Sequence, residues 1–413
     1  MLLFVHKKKT FPKTALTTRR AALAAAGMLA MPAILHAPIL HAPILHVQGG
    51  PLRIAMVTTL SGPGGYLGAD IRDGFRLAMA DGKLGGVPVD LLVEDDGLRP
   101  AQARQIVNRL INTDGIRLYT GIAFSSVLGA VVGDILDEGG IYVSPNAAPA
   151  NLAGRNCHPN YYVVSWQNDG PHESAGENAN LLGHRRMYVL APDSRAGRDA
   201  IAGFRRYFKG SIAGESHTRP DQTDYGPEMA RIRAANPDAV FQFHPGALGI
   251  AFIRQYRQAG LLGRVPMVLP APSLDSVILG AVGEAALGID VSAHWNADFD
   301  NVANRGFMAD FQAKYKRLPT CYASQGYDTA LAIGAALFET KGQLRDTELF
   351  RRAMLPATFQ SVRGRFRFGP NQHPIQDWWA LRVEKGKDGT PALVTRGRVF
   401  QDHGDAYAAE CRM

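Results

Sequence analysis

Residues 58–68 read TTLSGPGGYLG and directly follow the apolar run LRIAMV at 52–57. A glycine-rich turn between a strand and a helix often binds phosphate through the N–H groups at the helix start. A dinucleotide fingerprint needs a third glycine where Leu67 stands, and no Gly-Lys pair is followed by Ser or Thr, as a phosphate loop requires. The turn is therefore predicted to hold no nucleotide. Its glycines let the backbone approach a small ligand closely.

The same strand–turn–helix pattern recurs along the chain, and it determines the predicted fold class. Repeated alternation of apolar runs with amphipathic helices indicates an α/β protein with mostly parallel sheets and helices on both faces. The pattern starts again near residue 186, which predicts two doubly wound lobes. Helices are predicted from 68, over 100–112, 125–137, near 197–208 and 246–260, after 273, and over about 301–316 and 322–340, with strands in the tail at 363–369, 377–386 and 392–400.

Late segments that return to each half predict several crossings between the two lobes. The first lobe is expected to comprise residues 51–165 and about 290–341, and the second residues 166–289 and about 342–413. Such an arrangement makes a cleft, and clefts between lobes are where small ligands bind.

The N-terminal segment, residues 1–48, is predicted to be an export signal and linker. TTRR at 17–20 precedes an apolar run at 21–35, a pattern that favours a cleaved, twin-arginine-like signal to the periplasm, with the general secretion route as the alternative. Residues 1–50 hold six of the 45 basic residues and no acid, which leaves 39 basic against 37 acidic residues. A nearly neutral body argues against nucleic-acid binding.

Motifs for catalysis and metal binding are missing from the sequence. No G-x-S-x-G, H-E-x-x-H or C-x-x-C occurs. We therefore expect no enzyme, no cofactor and no metal site. Of the three cysteines, an oxidising compartment permits one disulfide. Three pairings are possible, and the polar surroundings of Cys157 and Cys411 favour that pair over one with Cys321.

Uncharged polar turns follow several predicted strands of the first half, and they supply candidate binding residues. In open parallel sheets, ligands bind at the carboxyl ends of the strands. Ser125 and Ser126 would begin a helix, where free N–H groups and the helix dipole favour a carboxylate. An N-cap role is the alternative for Ser125 alone. The turn SPNAA adds Asn146 and the backbone N–H groups of Ala147 and Ala148.

The strand ends of the second half carry polar and aromatic residues where the cleft is expected. These are Arg195, His244 with its neighbour Pro245, and Trp295. Each alone is more often a loop residue satisfied by its neighbours, but their joint position at strand ends favours a binding site. Trp166 lies where the chain crosses between the lobes, and its ring is expected either to stack on a ligand or to pack the hinge.

Six stretches, from about residue 52 to the C-terminal region, stand in the order typical of one family: TTLSGPGGYLG, EDD, FSS, VSPNAAPANL, AGL after FIRQYRQ, and YASQGYDTAL. They resemble the type I periplasmic solute-binding proteins of branched-chain amino-acid ABC transporters. The resemblance implies a fold of two lobes with three crossings and an inner-membrane permease as partner. A monomer is expected for a protein that shuttles to a permease.

The substrate does not follow from the resemblance alone. Members that bind amino acids place a hydroxyl residue at the position of Ala148 and an acid near Ala271, to hold the carboxylate and the ammonium group. This sequence has alanine at 148 and PAPS, without an acid, at 270–273. Because a buried ammonium group without a charge partner is costly, an α-amino acid is not the expected ligand.

Other stretches, among them FHPGALGIAFIRQYRQAGL and the terminal CRM, resemble the subgroup that binds hydroxybenzoates, phenylpropanoids or aryl-pyruvates. A small aromatic carboxylate is therefore the expected ligand. The alternatives are a branched-chain or other aliphatic amino acid, or a ligand-sensing role for a membrane receptor. The residues expected to stack on the ring are Tyr66, Trp166, Trp295 and Tyr327, with a helix-core role as the alternative for Tyr327, and Arg195 or His244 is expected to meet a ring hydroxyl.

Overall fold

The computed structural model describes residues 50–413, so the predicted export signal and linker lie outside the described residues. The first sheet has six strands in the order β2-β3-β1-β4-β5-β6, all parallel except β2. The elements of this part are β1 (Leu52–Thr58), α1 (Gly65–Ala78), β2 (Lys83–Leu84), β3 (Val87–Asp95), α2 (Pro100–Asn112), β4 (Leu118–Thr120), α3 (Ser125–Asp137), β5 (Ile141–Ser144), α4 (Ala150–Ala153) and β6 (Tyr161–Val163).

The second sheet has eight strands, with the parallel strands β8, β7, β9, β10 and β11 followed by an antiparallel group at one edge. Its elements are α5 (Gly170–Leu181), β7 (Arg186–Pro192), α6 (Arg195–Tyr207), β8 (Ser211–Thr218), α7 (Gly226–Ala235), β9 (Ala239–Gln242), α8 (Ala247–Gln258), β10 (Met267–Pro270), α9 (Ser276–Val282), β11 (Asp290–Ala293), β12 (Phe366–Phe368), β13 (Pro374–Lys385) and β14 (Pro391–His403).

Between β11 and β12 the chain forms the three helices α10 (Val302–Tyr315), α11 (Cys321–Thr340) and α12 (Thr347–Met354), and α11 packs against α1 and the first sheet. The chain thus crosses between the two sheets after β6, after β11 and after α12. This confirms the predicted fold class, two doubly wound α/β lobes joined by three crossings. The chain returns to the first lobe after β11, which is a strand of the second sheet. It passes back to the second lobe after α12, which packs on α11. The exact lobe boundaries stay a prediction.

The central parallel strands are buried on both faces, as their near-continuous apolar sequences require. In β1, Ile54 and Met56 belong to one apolar cluster, while Ala55 and Val57 belong to another. Alternate residues of a strand point to opposite faces, so a strand buried on both sides reads as an unbroken apolar run. Among the described residues, no helix is long and apolar enough to cross a membrane.

Helices α1 and α11 approach each other so closely that only glycine fits at their crossing. A methyl group at Gly326 would lie 2.0 Å from the carbonyl oxygen of Ile71, and one at Gly74 would lie 2.0 Å from that of Ala323. Overpacking a rigid contact of this kind typically costs about 1–3 kcal/mol. We therefore expect Gly326→Ala to lower the free energy of unfolding by at least that amount in urea denaturation.

The matched control is Gly306→Ala on α10, where a methyl group would meet no atom within 4 Å. There the substitution is expected to stabilise the helix by about 0.8–1.0 kcal/mol, because alanine has the higher helix propensity. Equal shifts of the unfolding midpoint in both variants would show that the crossing tolerates a side chain.

Candidate functional site

The carboxyl ends of the parallel strands in both sheets meet in a cleft between the lobes. The two lobes touch at one side of this cleft, where the Tyr66 hydroxyl donates to Oδ2 of Asp275 at 2.7 Å. The loop Pro245–Gly246 lies beside the same tyrosine, with the position of a Gly246 methyl group 3.6 Å from the Tyr66 ring. Tyr66 and Pro245, both expected to bind ligand, are thus placed at the junction of the lobes.

Helix α3 presents its N-terminus to the cleft, and it is the strongest candidate for binding an anion. The helix begins at Ser125 and has no side-chain cap among the described residues. Ser125 is half-buried and Ser126 is exposed. A free helix start with two hydroxyl groups combines unpaired N–H donors with the positive end of the helix dipole. This arrangement suits a carboxylate.

Asn168, on the first crossing, joins this helix start to the neighbouring turn. Its Nδ2 donates to Oγ of Ser125 at 2.9 Å, and its Oδ1 accepts from the backbone N–H of Ala148 at 3.0 Å. The N–H of Ala147 donates to the carbonyl of Ile122 at 3.4 Å. The backbone donors expected from Ala147 and Ala148 are therefore already engaged. The sequence did not single out Asn168, because its partners lie 20 and 43 residues away.

The second lobe contributes charged groups from the start of α6, which approaches α3. Asp199 is half-buried, and one of its oxygens, Oδ2, has no hydrogen-bond partner in the described part of the chain. Burial, and next the charge of Asp169, raises the pKa of Asp199 to about 6, while a hydrogen bond with Asn168 acts in the opposite direction. Nη1 of the exposed Arg195 donates to Oδ1 of Asn151 across the cleft at 3.5 Å. Arg195 thus lies where the two lobes meet, and its contact with a ligand stays a prediction.

Trp166 follows β6 on the first crossing and is almost fully buried among the apolar residues of the first lobe. Its ring makes edge contacts with the rings of His294, at 4.7 Å, and Tyr322, at 6.5 Å. This position is compatible with both roles predicted for Trp166, which are stacking on a ligand and packing the hinge.

His244 lies outside the cleft, contrary to expectation. Its ring nitrogens are hydrogen-bonded to Thr218 and Gln242 at 2.9 and 2.7 Å, and its ring stacks on Phe252. Burial lowers the pKa of His244 to about 3, so the ring is neutral. It is a satisfied core histidine of the second lobe, because the side chain turns back from the strand end instead of forward.

Three more residues that were expected to bind ligand instead contact other residues of the first lobe. Trp295 donates from Nε1 to Oδ1 of Asn304 on α10 at 2.7 Å. Tyr327 packs against Phe307, with 4.9 Å between the ring centroids, which supports the helix-core alternative. The side-chain amide of Asn146 donates to the carbonyl of Ala123 at 2.6 Å, although its Oδ1 has no partner among the described residues.

The acid that was expected to be missing near Ala271 is present four residues further on. Asp275 caps α9, accepting from the N–H groups of Val277 and Ile278 at 2.9 Å, and it also accepts from Tyr66. Burial raises the pKa of Asp275 to about 6. Because its oxygens already have three donors, it holds the lobe junction together and is not a free partner for an ammonium group.

Cys157 and Cys411 are joined by a disulfide, and Cys321 is a free, buried cysteine. The disulfide attaches the C-terminal segment, which follows the second sheet, to the loop after α4 of the first lobe. The pair is the one that the sequence favours.

Two α/β lobes with three crossings and polar strand ends that face each other define the class of solute-binding proteins. The chain belongs to the periplasmic binding protein family, whose model matches residues 51–389. The resemblance noted in the sequence is thereby confirmed.

Individual relatives agree with this assignment. The chain is 25% identical to Leu/Ile/Val-binding protein homolog 6 of Brucella melitensis over 370 residues, which cover 86% of this chain and 93% of that protein. It is similar to the ABC transporter substrate-binding protein from Sphaerobacter thermophilus, with 32% identity, a TM-score of 0.82 and coverage of 86% and 99%. It is also similar to an ABC transporter solute-binding protein from R. palustris in complex with benzoate, with 26% identity, a TM-score of 0.82 and coverage of 88% and 100%.

Proposed function

We propose that this protein is the solute-binding component of an ABC importer, exported to the periplasm, and that it closes its lobes around a small carboxylate. The observation that carries the proposal is the uncapped start of α3 with Ser125 and Ser126 at the lobe junction. Closing the lobes buries the ligand and creates a surface for a membrane permease to recognise. The relatives are named for binding and transport, which supports a carrier over an enzyme.

The class of ligand that we favour is an aromatic acid, of the hydroxybenzoate, phenylpropanoid or aryl-pyruvate type. The benzoate complex of the R. palustris protein supports this class. In this chain, the rings of Trp166 and Tyr322 contact each other edge to face at the first crossing, and we expect their apolar surfaces to border the ligand. Flat apolar faces next to an anion-binding helix start suit a flat, anionic ligand.

A branched-chain or other aliphatic amino acid is the second candidate. Asp199 of the second lobe favours this ligand, because its Oδ2 has no hydrogen-bond partner among the described residues. Asp199 lies next to Asn168, which is hydrogen-bonded to Ser125 at the start of α3. A carboxylate at α3 and an ammonium group at Asp199 would bridge the two lobes. The name of the Brucella melitensis relative also supports this ligand.

Thermal melts of the purified, ligand-stripped protein distinguish the two candidates. The panel holds benzoate, 4-hydroxybenzoate, a cinnamate-type acid, phenylpyruvate, leucine, valine and glutamate. A ligand at a hundredfold excess over its Kd stabilises by about 2.7 kcal/mol, which raises the melting midpoint measurably. We expect a shift with the aromatic acids. A shift with leucine or valine alone would establish the second candidate, and no shift with any of the seven would overturn the carboxylate proposal.

Ser126→Ala tests the anion site itself. A hydrogen bond to a charged group contributes about 1.5–3 kcal/mol, so we expect at least a roughly tenfold weaker Kd for every carboxylate that binds. The measurement is isothermal titration calorimetry. Ser211→Ala, at the start of β8, is the matched control and should leave the Kd unchanged. An unchanged Kd in Ser126→Ala would show that the ligand carboxylate binds elsewhere.

A further inference from the structure

Three fully buried side chains near the hinge carry polar atoms without hydrogen-bond partners among the described residues. They are both ring nitrogens of His294, both polar atoms of the Gln325 amide, and Nη2 of Arg363. Folded proteins pair the great majority of buried polar atoms, so each exception needs an explanation. Five unpaired atoms on three buried side chains of the hinge region point to a missing occupant. We call these three residues the inner polar cluster.

The contacts around His294 place it among aromatic side chains at the first crossing. The His294 ring lies between the rings of Trp166, at 4.7 Å, and Trp378, at 5.7 Å. Trp166 in turn contacts Tyr322 on α11. Gln325 follows Tyr322 by three positions on that helix, and residues three apart share a helix face. The Gln325 amide therefore lies on the face of α11 that borders Trp166.

Arg363 completes the cluster from the third crossing. Its Nε donates to Oδ2 of Asp328, the next residue along the same face of α11, at 2.9 Å. Its Nη1 donates to the carbonyl oxygen of Ser165, the residue before Trp166, at 2.9 Å, and the Trp166 ring contacts that of His294. Burial, and next the positive charge of Arg363, lowers the pKa of His294 well below its ordinary value. The histidine is therefore neutral, with one donor and one acceptor nitrogen.

The chemistry of the cluster selects a neutral polar group over a second anion. The charge of Arg363 is already balanced by Asp328, so the cluster has no net positive charge to offer. A neutral imidazole has one donor and one acceptor nitrogen, a carboxamide donates from its nitrogen and accepts at its oxygen, and Nη2 of arginine donates. A hydroxyl group donates one hydrogen bond and accepts up to two, so it can pair with one atom on each of the three side chains.

We propose, on the basis of the function proposed above, that the inner polar cluster is the subsite for a hydroxyl group on the ring of the bound aromatic acid. The carboxylate is held at the start of α3, the ring lies against Trp166, and the hydroxyl meets His294, Gln325 and Arg363. Because solvent does not reach these atoms in the structure, the hydroxyl enters while the lobes are apart and is enclosed as they close. Arg195 and His244, expected to meet a ring hydroxyl, lie at the rim and in the core of the second lobe.

The experiment compares Kd values for benzoate, 3-hydroxybenzoate and 4-hydroxybenzoate by titration calorimetry. We expect the wild type to bind one hydroxybenzoate at least tenfold more tightly than benzoate, because a site built for a hydroxyl rejects the analogue that lacks it. Gln325→Met and His294→Phe should each bring that ratio close to one. Gln312→Met, on the exposed surface of α10, is the control and should keep the wild-type ratio.

A second measurement separates this role from a structural one. Removing an unpaired buried polar group should keep or raise the melting midpoint of the ligand-free protein. A lower midpoint in Gln325→Met would mean that a buried water or the hinge uses the amide, and would overturn the subsite. A wild-type preference that neither variant changes, or aromatic acids that bind without any preference, would also overturn the subsite and leave the carrier function intact. If no aromatic acid binds, the proposed ligand class and the subsite both fail.

Discussion

Asp328→Asn is expected to lower the free energy of unfolding by about 3–5 kcal/mol, since it leaves the Arg363 guanidinium as an uncompensated buried charge. Both side chains are closed to solvent, with 1% of Arg363 and none of Asp328 exposed. The aspartate also accepts hydrogen bonds from the Ser361 hydroxyl at 2.6 Å and from the N–H of Val362 at 3.1 Å. Asparagine has one accepting oxygen in place of two, because its amide nitrogen only donates hydrogen bonds. Some of the donors that Asp328 accepts from therefore lose their partner.

Urea denaturation measures this loss, and an exposed ion pair provides the control. Asp300 and Arg305 pair on the surface, with 88% and 58% of their side chains exposed, so Asp300→Asn should cost less than about 1 kcal/mol. The double variant Asp328→Leu with Arg363→Met should recover much of the loss, because replacing both charges removes the unpaired one. A loss below about 1 kcal/mol in Asp328→Asn would show that water reaches the guanidinium.

The position of this pair explains why a buried charge is useful there. Nη1 of Arg363 donates to the carbonyl oxygen of Ser165 at 2.9 Å and to Oε1 of Gln376 at 2.7 Å. Ser165 belongs to the first crossing, Arg363 to the third, and Gln376 to β13 of the second sheet. The arginine thus ties two of the three crossings to one helix of the first lobe. Directional bonds of this kind fix the relative position of the crossings more narrowly than apolar contacts do.

The fold was predictable from the sequence because its signal is local and repeated. The helices over 100–112 and 125–137 have the predicted bounds, and those of α6, α8, α10 and α11 differ from prediction by a few residues. Each strand of the parallel sheets is a short apolar run followed by a turn, and both features can be read from neighbouring residues. The alternation alone therefore predicts two parallel sheets.

For the candidate site, the sequence could indicate only a location at the strand ends. Ser125 and Ser126 were identifiable because a helix start can be recognised from the sequence. Asn168 and Asp199 were not, since their roles depend on partners far away in the chain. His244 and Trp295 show the opposite error. Both stand at strand ends, yet the side chain of each points into a core, and the direction of a side chain depends on a rotamer that the sequence does not show.

Replacing both Cys157 and Cys411 by serine is expected to lower the free energy of unfolding by about 2–4 kcal/mol. The two cysteines are 254 residues apart in the sequence. A crosslink stabilises the folded state more when it closes a longer loop, because it removes more conformational entropy from the unfolded chain. It also tethers a segment that is attached to the second lobe by Tyr407, whose hydroxyl donates to Asp169 at 2.6 Å. At the other end, Arg155 and Glu410 pair at 3.2 Å on the surface.

The expected functional consequence follows from this attachment to both lobes. The disulfide links the segment after the second sheet to the loop after α4, so we expect it to limit how far the lobes separate. Its removal should therefore allow a wider open state and speed ligand release. Thermal melts with and without a reducing agent measure the stability, and stopped-flow ligand release measures the motion.

The reductant should lower the melting midpoint of the wild type but not that of the double serine variant, which lacks the bond. Because Cys321 is buried and unpaired, Cys321→Ala should keep the response of the wild type. Identical melting midpoints for wild type and double variant would show that the noncovalent contacts of Tyr407 and Arg155 hold the segment without the disulfide.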